Sequence, residues 1–480
     1  MFSTSNQRTH HIYQASQLLI LWALIGTING TNVKLEIKSN TEEDQPIKIY
    51  EDEVYQFSVS SFQALVEDVV CETNKREVIS LEKISQAGNN ATFKFLARRL
   101  GVAEVSCGYE RGSDVKGDDA EGVAELDVWV LRAETKIDMF FLPYVFLMVA
   151  IFNLAFGTEI ALNDLKFILR NPLPLFTAAV CQFIILPPMG LGVAKWMGYD
   201  VDVALGMLMV ACAPGGAQSN AFSYLVDGEV PLSIAMTFFS TLLAIGTMPL
   251  NLFIYGRFIS DDPSWTAQDI PYHRLGGTLL LLAVPVCIGM LLRSYCPNFT
   301  RKMMKIAKPL ISIMLLVFFC LAIFRNLFAF ALVSVRDVAG SCLLPCGGFI
   351  IGTLLPLSAQ LRFSKVKTIA LEVGMQNAGI VVGMSLLAFE QPHADLNGIL
   401  PIFMALTMNF VALPLLIAHV ITIKFSRSYR ELCKKDREAL ENERKLFEKE
   451  TKVAVNGDME GVGIILSTEA DQKNPDGALS

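Results

Sequence analysis

Charged residues are scarce in this chain of 480 residues. Only 18% of the residues are Asp, Glu, Lys or Arg, whereas a soluble protein usually has about a quarter, and 52% are hydrophobic. The shortage is uneven, because residues 32–135 and 426–480 are polar while 138–425 is almost continuously apolar. The composition therefore excludes a single soluble domain and indicates a membrane protein with polar ends.

Catalytic signatures are also missing from the sequence. The five histidines form no recognisable arrangement with a nucleophile, and the cysteines and histidines have no zinc-site spacing. A glycine-rich phosphate loop and a basic patch with interleaved aromatic residues are absent as well. We therefore predict that the chain is not an enzyme and has no nucleic-acid partner.

The first 30 residues have the pattern of a signal peptide. Arg8, His10 and His11 precede a short apolar core at 18–25, and small and polar residues follow it. This core is too short to span a bilayer, so we predict a leader over residues 1–30. An uncleaved anchor is the alternative, because the cleavage site is not clearly marked.

The region that follows, 31–136, is predicted to be a small extracellular β-sandwich. Apolar and polar residues alternate in short runs, as at 55–59, and turn-forming residues separate the runs. Cys71 and Cys107 are its only cysteines, and beyond a leader they predict a disulfide. The sequon that begins at Asn90 predicts N-glycosylation in a polar turn.

Residues 137–425 are predicted to form the transmembrane domain. A bilayer core of about 30 Å requires about 20 apolar residues per helix, and about nine segments meet that criterion. These segments lie near 139–160, 172–193, 202–224, 231–255, 275–293, 308–333, 338–358, 367–389 and 398–423.

Basic residues in alternate loops predict the orientation. They place the N-terminus outside and the tail, 426–480, in the cytoplasm. We expect the protein in the plasma membrane or another membrane of the secretory pathway. The sequon at Asn298 would then be cytoplasmic and unused. Within the tail, 426–452 predicts a solvated or membrane-surface helix, and the remainder has a disordered composition. The basic residues are Lys166, Arg170, Arg293, Arg301, Lys302, Lys305, Lys308, Arg362, Lys365, Lys367, Lys424, Arg427 and Arg430, and the opposite loops carry Asp261, Asp262, Asp269, Glu390 and Asp395.

Two of the predicted spans contain breaks. The segment 212–220 has a proline, paired glycines and three polar residues, and 371–379 has a carboxylate, Glu372, beside glycine and an amide pair. Irregular backbone at membrane depth is tolerated only inside protein or around a cavity, and a charge there is a functional candidate. Two interrupted spans in corresponding halves of a chain predict the binding site of a transporter.

Oxygen-bearing side chains near these breaks favour a hard cation such as sodium. Ser233 and Thr237 are four residues apart on one helix face, so both hydroxyls can point to the same place as Glu372. The alternative is structural: hydroxyls in membrane helices bond their own backbone, and Glu372 could pair with a basic residue.

The residues around both breaks resemble the sodium/bile acid cotransporter family, over roughly 138–425. A secreted domain in front of the helices is similar to the branch of P3 proteins. The resemblance implies ten helices, or nine when the first is missing, arranged as an inverted repeat with a core domain, a panel domain and two crossing broken helices. The motifs that carry it are Pro214-Gly215-Gly216, Ser219-Asn220, Gly228, Leu232-Ser233, Thr237, Ser240-Thr241, Met248-Pro249-Leu250 and Glu372-x-Gly374-x-Gln376-Asn377.

By position, the resemblance implies two sodium ions, which are coupling ions, and an organic anion as substrate. Arg325 is not part of the resemblance, but an intramembrane arginine could meet an anionic substrate. One sodium site would use Ser219, Asn220, Ser233, Thr237 and Glu372; the second would use Gln182, Glu372, Val373, Met375 and Gln376; and Pro214, Gly215 and Asn377 would face the substrate.

The sequence thus predicts a sodium-coupled symporter of organic anions, such as bile acids, steroid conjugates or small carboxylates, that works by alternating access in the lipid bilayer. A proton-coupled carrier on the same fold and a non-transporting receptor that uses the β domain are the alternatives. The sequence leaves open the identity of the substrate, the role of the β domain and the oligomeric state.

Overall fold

Contacts within the chain divide it into two units. The first holds the residues up to Met139 together with Glu390–Leu396, and the second holds Phe140–Phe389 and the residues from Asn397 onward. The computed structural model describes residues 19–22, 26–28, 31–33, 35–39, 46–61, 69–87, 90–109, 124–133, 136–260 and 270–456.

The first unit is built from β-strands. One sheet has the order β1-β4-β6-β9-β8, a second has the order β5-β11-β10-β7, and β2 pairs with β3. The strands are β1 (Leu19–Trp22), β2 (Gly26–Ile28), β3 (Thr31–Val33), β4 (Leu35–Ser39), β5 (Ile47–Tyr50), β6 (Val54–Ser61), β7 (Val69–Thr73), β8 (Ile79–Ala87), β9 (Asn90–Ala97), β10 (Gly101–Tyr109) and β11 (Ala124–Leu131).

Alternating apolar residues give the two larger sheets a shared core. Phe57 lies opposite Phe93 on neighbouring strands, and their rings stack with centroids 5.6 Å apart. Val105, from the other sheet, is fully buried in the same cluster. Side chains on one face of each sheet therefore exclude water together, as in a β-sandwich. Cys71 and Cys107 are directly paired on β7 and β10 and form a disulfide.

The structure bears on two predictions for this unit, namely the polar turn at Asn90 and the leader. Asn90 is the first residue of β9, and not part of a polar turn as predicted. Leu19–Trp22, from the apolar core of the predicted leader, forms β1 and pairs with β4. Residues 1–18 lie outside the described part of the chain, and cleavage of the leader stays a prediction.

A cluster of charged groups joins the end of the sandwich to Glu390–Leu396 within the first unit. The guanidinium of Arg132 donates to both Asp138 oxygens, at 2.6 and 3.1 Å, and to Asp395 Oδ2 at 3.4 Å. Burial lowers the pKa of Arg132, but the two carboxylates outweigh burial and raise that pKa above its ordinary value. Trp129 adds an edge-on ring contact with His393, at 4.8 Å between centroids.

The described part of the second unit is built from helices, and the first residues of α1 and of α14 belong to the first unit. A π-helical turn, Cys181–Ile185, joins α3 to α4. The helices are α1 (Lys136–Glu159), α2 (Leu162–Arg170), α3 (Leu173–Val180), α4 (Leu186–Met197), α5 (Val201–Ala211), α6 (Gln218–Leu225), α7 (Val230–Gly256), α8 (Tyr272–Tyr295), α9 (Pro297–Arg325), α10 (Leu327–Leu332), α11 (Val335–Ser358), α12 (Phe363–Gly374), α13 (Ala378–Ala388), α14 (His393–Phe425) and α15 (Arg427–Asn456).

The helices agree with a protein that crosses the membrane several times. Six helical segments in the described part of the chain are long and apolar enough to span a bilayer. The predicted spans at 202–224 and 367–389 each consist of two short helices with a break between them. The predicted span at 308–333 is interrupted at Asn326, between α9 and α10. A total of nine spans therefore stays a prediction.

The helix predicted at 426–452 is present as α15, and most of its residues are exposed, but one side of it also packs against other elements of the second unit. The Phe447 ring lies 5.4 Å from the Phe167 ring of α2, and Asp436 accepts a hydrogen bond from the Ser364 amide in the first turn of α12. Ion pairs join Arg437 to Asp227, Arg444 to Asp164, Arg362 to Glu443 and Arg170 to Glu450.

Candidate functional site

The two helix breaks meet and pair with each other. Gly215, between α5 and α6, forms an antiparallel bridge with Gln376, between α12 and α13. The amide of Gly216 donates to Met375 O at 2.9 Å, and the amide of Asn377 donates to Pro214 O at 3.1 Å. Each break therefore supplies the hydrogen bonds that the other lost when its helix ended, which allows both to stay inside the protein.

Glu372 lies at this crossing, two residues before α12 ends. Its side chain is completely buried. Ser219 Oγ donates to Oε2 at 2.5 Å, Thr237 Oγ1 donates to Oε1 at 2.8 Å, and Ser233 Oγ is 3.4 Å from Oε2. Three hydroxyl groups from α6 and α7 thus surround one carboxylate, and the structure brings together the side chains that the sequence predicted to converge.

No basic side chain offsets this carboxylate among the residues that the structure describes. Glu372 has hydrogen bonds to hydroxyl groups alone there, and no ion pair includes it. A carboxylate without a partner is costly to bury, so hydroxyl groups leave its charge only partly compensated. The structural alternative of a permanent ion pair at Glu372 is not realised in the described part of the chain.

Buried atoms of two amide side chains at the helix breaks lack hydrogen-bond partners. Asn220 Oδ1, and both Oε1 and Nε2 of Gln376, form no hydrogen bond in the structure. Buried polar atoms are almost always satisfied, so unpaired oxygens require an explanation. A cation held between these oxygens and Glu372 would satisfy them, and the donor set of carboxylate, hydroxyl and amide oxygens suits a hard cation.

Gln182 reaches the same region from the π-helical turn. Its side chain is 1% exposed, and Nε2 donates to Ala213 O at 3.1 Å, beside the first break. Pro187 lacks an amide hydrogen, so it cannot donate to Phe183 O, and the Asn251 side chain donates to that carbonyl instead, at 3.0 Å. The turn therefore replaces an interrupted stretch of helix, and π-helical turns often occur at functional sites.

The carbonyl groups at the end of α12 differ in their hydrogen bonds. Because the Asn377 amide donates to Pro214 O, it does not close a helical turn onto Val373 O. Met375 O already accepts the Gly216 amide, although a carbonyl oxygen has a second lone pair. Asn377 also caps α13, with Oδ1 accepting from the Ile380 amide at 3.2 Å.

Arg325 is located at the last position of α9 and is 7% exposed. It donates to Asn326 Oδ1 at 3.1 Å, and its guanidinium lies 5.2 Å from the centre of the Phe141 ring. These contacts tie Arg325 to α1 and to the break before α10. A role in binding an anionic substrate stays a prediction.

Two hydroxyl groups at the crossing had no role in the sequence prediction. Ser223 is fully buried, and its Oγ lies 3.4 Å from Ser233 Oγ. Ser240 Oγ accepts from the Gly215 amide at 3.2 Å and so fixes the first break. Ser223 could have been found from its spacing, because it is four residues after Ser219 and shares its helix face.

The chemistry of this arrangement is that of ion binding. In the described residues, no group of three or more His, Cys, Asp or Glu side chains could hold a metal ion. The crossing instead offers one carboxylate with hydroxyl, amide and carbonyl oxygens, which suits an alkali cation better than a transition metal. Protonation of Glu372 would satisfy the same carboxylate, so a proton is the competing occupant.

Comparisons with known proteins identify the family of the chain. The sequence profile of the Sodium Bile acid symporter family matches residues 145–331. The P3 protein of Homo sapiens is 30% identical over 289 residues, which is 60% of this chain and 59% of that protein. The chain therefore spans about three fifths of the P3 proteins it matches.

Relatives with named transport activities also match. The ileal sodium/bile acid cotransporter of Cricetulus griseus is 30% identical over 274 residues, covering 57% of this chain and 78% of that protein. The sodium-dependent organic anion transporter of Mus musculus is 30% identical over 267 residues, covering 55% and 69%. The family is one of transporters and not of enzymes, as predicted. This integral membrane protein belongs to the sodium/bile acid symporter family.

Proposed function

We propose that the protein is a sodium-coupled secondary transporter that carries an organic anion across the membrane by alternating access. The observation that carries this proposal is the completely buried carboxylate of Glu372, surrounded by Ser219, Ser233 and Thr237 at the crossing of two broken helices. The names of the relatives support the choice of sodium as coupling ion and of an organic anion as substrate.

Two sodium ions would bind at the crossing. The first would lie among Ser219, Asn220, Ser233, Thr237 and Glu372. The second would share Glu372 and add the side chains of Gln182 and Gln376 and the carbonyl oxygens of Val373 and Met375. The unpaired oxygens of Asn220 and Gln376 support this assignment, because ion binding would satisfy them.

The substrate would bind beside the ions, at Pro214, Gly215 and Asn377. Sodium neutralises Glu372 and orders the two breaks, which pair through the bridge between Gly215 and Gln376. Ordering the breaks completes the substrate site, so sodium and substrate raise each other's affinity by the same factor. Arg325 is a further candidate for contact with the anion. Bile acids, steroid conjugates and small carboxylates are the substrate classes proposed.

An uptake experiment tests the proposal. Cells expressing the protein are screened with labelled organic anions, in sodium medium and in choline medium at the same pH. We expect uptake of at least one anion to require sodium, and Glu372→Ala to abolish it with surface expression unchanged. Uptake that persists in choline and follows a pH gradient would instead favour proton coupling at Glu372. Sodium-dependent uptake by the Glu372→Ala variant would contradict the assignment of the carboxylate.

A further inference from the structure

A cavity of 480 Å³ lies at one end of three helices, and no residue of the crossing lines it. Its lining comes from the end of α1, the end of α8 and the beginning of α9. The charge bias of the loops predicts that this end faces the cytoplasm. The lining residues are Thr158, Glu159, Arg293, Pro297, Thr300, Arg301, Met304 and Lys305.

Positive charge dominates this cavity. Arg293, Arg301 and Lys305 contribute three cations, against one carboxylate from Glu159. Arg293 is held in place by a hydrogen bond of 2.7 Å to Thr158 O at the end of α1. The N-terminal end of α9, which favours an anion, meets the C-terminal ends of α1 and α8, which favour a cation, so the side chains decide the sign of the charge.

Two of the cations lack a protein partner within the described part of the chain. Arg301 and Lys305 form neither an ion pair nor a hydrogen bond there. They are four residues apart on α9, so they share a helix face and repel each other. A bound anion with several oxygens would remove this repulsion and could accept hydrogen bonds from both side chains.

Exposed apolar residues follow the cavity along α9, on the side of the helix next to the one that carries Arg301 and Lys305. Ile306, Leu310 and Ile313 are 73%, 45% and 61% exposed, and their spacing places them along one side of the helix. Exposed apolar residues on a helix of a membrane protein are suited to contact with acyl chains. Basic pockets between membrane helices on the cytoplasmic side are typical binding sites for phosphate-bearing headgroups.

We propose that this cavity binds the phosphate group of an anionic phospholipid of the cytoplasmic leaflet, with Arg293, Arg301 and Lys305 as its contacts. The negative phosphate group would bind cations from α8 and α9 at once, and would therefore hold the ends of α1, α8 and α9 together. This site depends on membrane insertion, which the family establishes, and on the predicted orientation, but not on sodium coupling.

The test uses the full chain in nanodiscs of phosphatidylcholine with an increasing fraction of a phosphoinositide, from none upward, and follows the melting temperature. We expect the phosphoinositide to raise the melting temperature of the wild type. Arg301→Gln and Lys305→Gln should each weaken the apparent affinity for this lipid about fivefold, since a basic residue near the headgroups contributes about 1 kcal/mol.

Lys302→Gln is the matched control, because Lys302 lies between the two cations on α9 but does not line the cavity. This variant should respond to the phosphoinositide as the wild type does. An equal loss in all three variants would show that general surface charge attracts the lipid and would overturn the site. An equally large response to inorganic phosphate in pure phosphatidylcholine would reject the lipid as the source of the phosphate group. A cooperative melting transition of all variants in pure phosphatidylcholine verifies that they fold.

Discussion

At the residue scale, the fit between Gly215 and Glu372 decides whether the carboxylate can reach its hydroxyl partners. A Cβ atom at position 215 would lie 2.7 Å from Glu372 Cδ and even closer to Oε1. Glycine therefore permits the close approach of the first break to the carboxylate, and a larger residue would push the end of the Glu372 side chain away from Ser219 and Thr237.

Gly215→Ala should consequently lower the affinity for sodium more than it lowers the free energy of unfolding. Overpacking at a tight site costs about 1–3 kcal/mol, and here a flexible side chain can absorb part of it by moving. The measurement is the sodium-dependent shift in melting temperature. Gly246→Ala is the control, because a Cβ atom at that position of α7 has no neighbour within 4 Å. An unchanged sodium shift in Gly215→Ala would argue against this role of the glycine.

The sequence could predict part of the site because its signals are local. Glu372 interrupts an apolar run beside Gly374, and Pro214 breaks another, so both positions are conspicuous without a structure. The π-helical turn at Gln182 was not predictable in this way. Pro187 has no amide hydrogen, so the carbonyl of Phe183 loses one helical hydrogen bond. The donor that replaces it is the side chain of Asn251, which is 68 residues from Phe183 in the chain, so no local pattern reveals it.

At the scale of elements, the contacts of α15 show what local patterns miss. Its alternation of charged residues and leucines fits a free amphipathic helix equally well. The partners that fix it, such as Asp227 and Asp164, are 210 and 280 residues away along the chain. Long-range ion pairs leave no periodic pattern, and so the docking of this helix became visible only in the structure.

Exchange of charges tests the docking of α15. Arg437→Glu should weaken it, because Arg437 donates to Asp227 at 2.6 Å, and Asp227→Arg in the same chain should restore it. An exposed ion pair contributes about 0.2–1 kcal/mol, so proteolysis of α15 should accelerate by up to about fivefold in the single variant.

Lys434→Glu provides the control for that exchange, since Lys434 pairs with Glu438 on α15 itself. Its proteolysis should stay at the wild-type rate. If Arg437→Glu is cleaved no faster than Lys434→Glu, or the double variant is not rescued, the ion pair does not hold α15 in place.

At the scale of the whole molecule, the sequons at Asn90 and Asn298 report the orientation. The loop charges predict that the β-sandwich is outside and that the start of α9 is in the cytoplasm. Asn90 should therefore carry a glycan, and Asn298 should not. We expect a glycosidase to shift the protein on a gel, Asn90→Gln to abolish the shift, and Asn298→Gln to leave it unchanged. A glycan that depends on Asn298 would contradict the predicted orientation.

The most direct test of the account measures sodium binding by Glu372 without requiring a known substrate. Purified protein in detergent is heated in sodium chloride and in choline chloride of equal concentration, and its melting temperature is recorded. A ligand that binds only the folded state at 100 times its Kd stabilises by about 2.7 kcal/mol, so the wild type should melt higher in sodium. Glu372→Gln, which keeps the size of the side chain, should melt at the same temperature in both salts. A wild type without a sodium shift, or a Glu372→Gln variant with the full shift, would contradict the claim that this carboxylate holds the coupling ion.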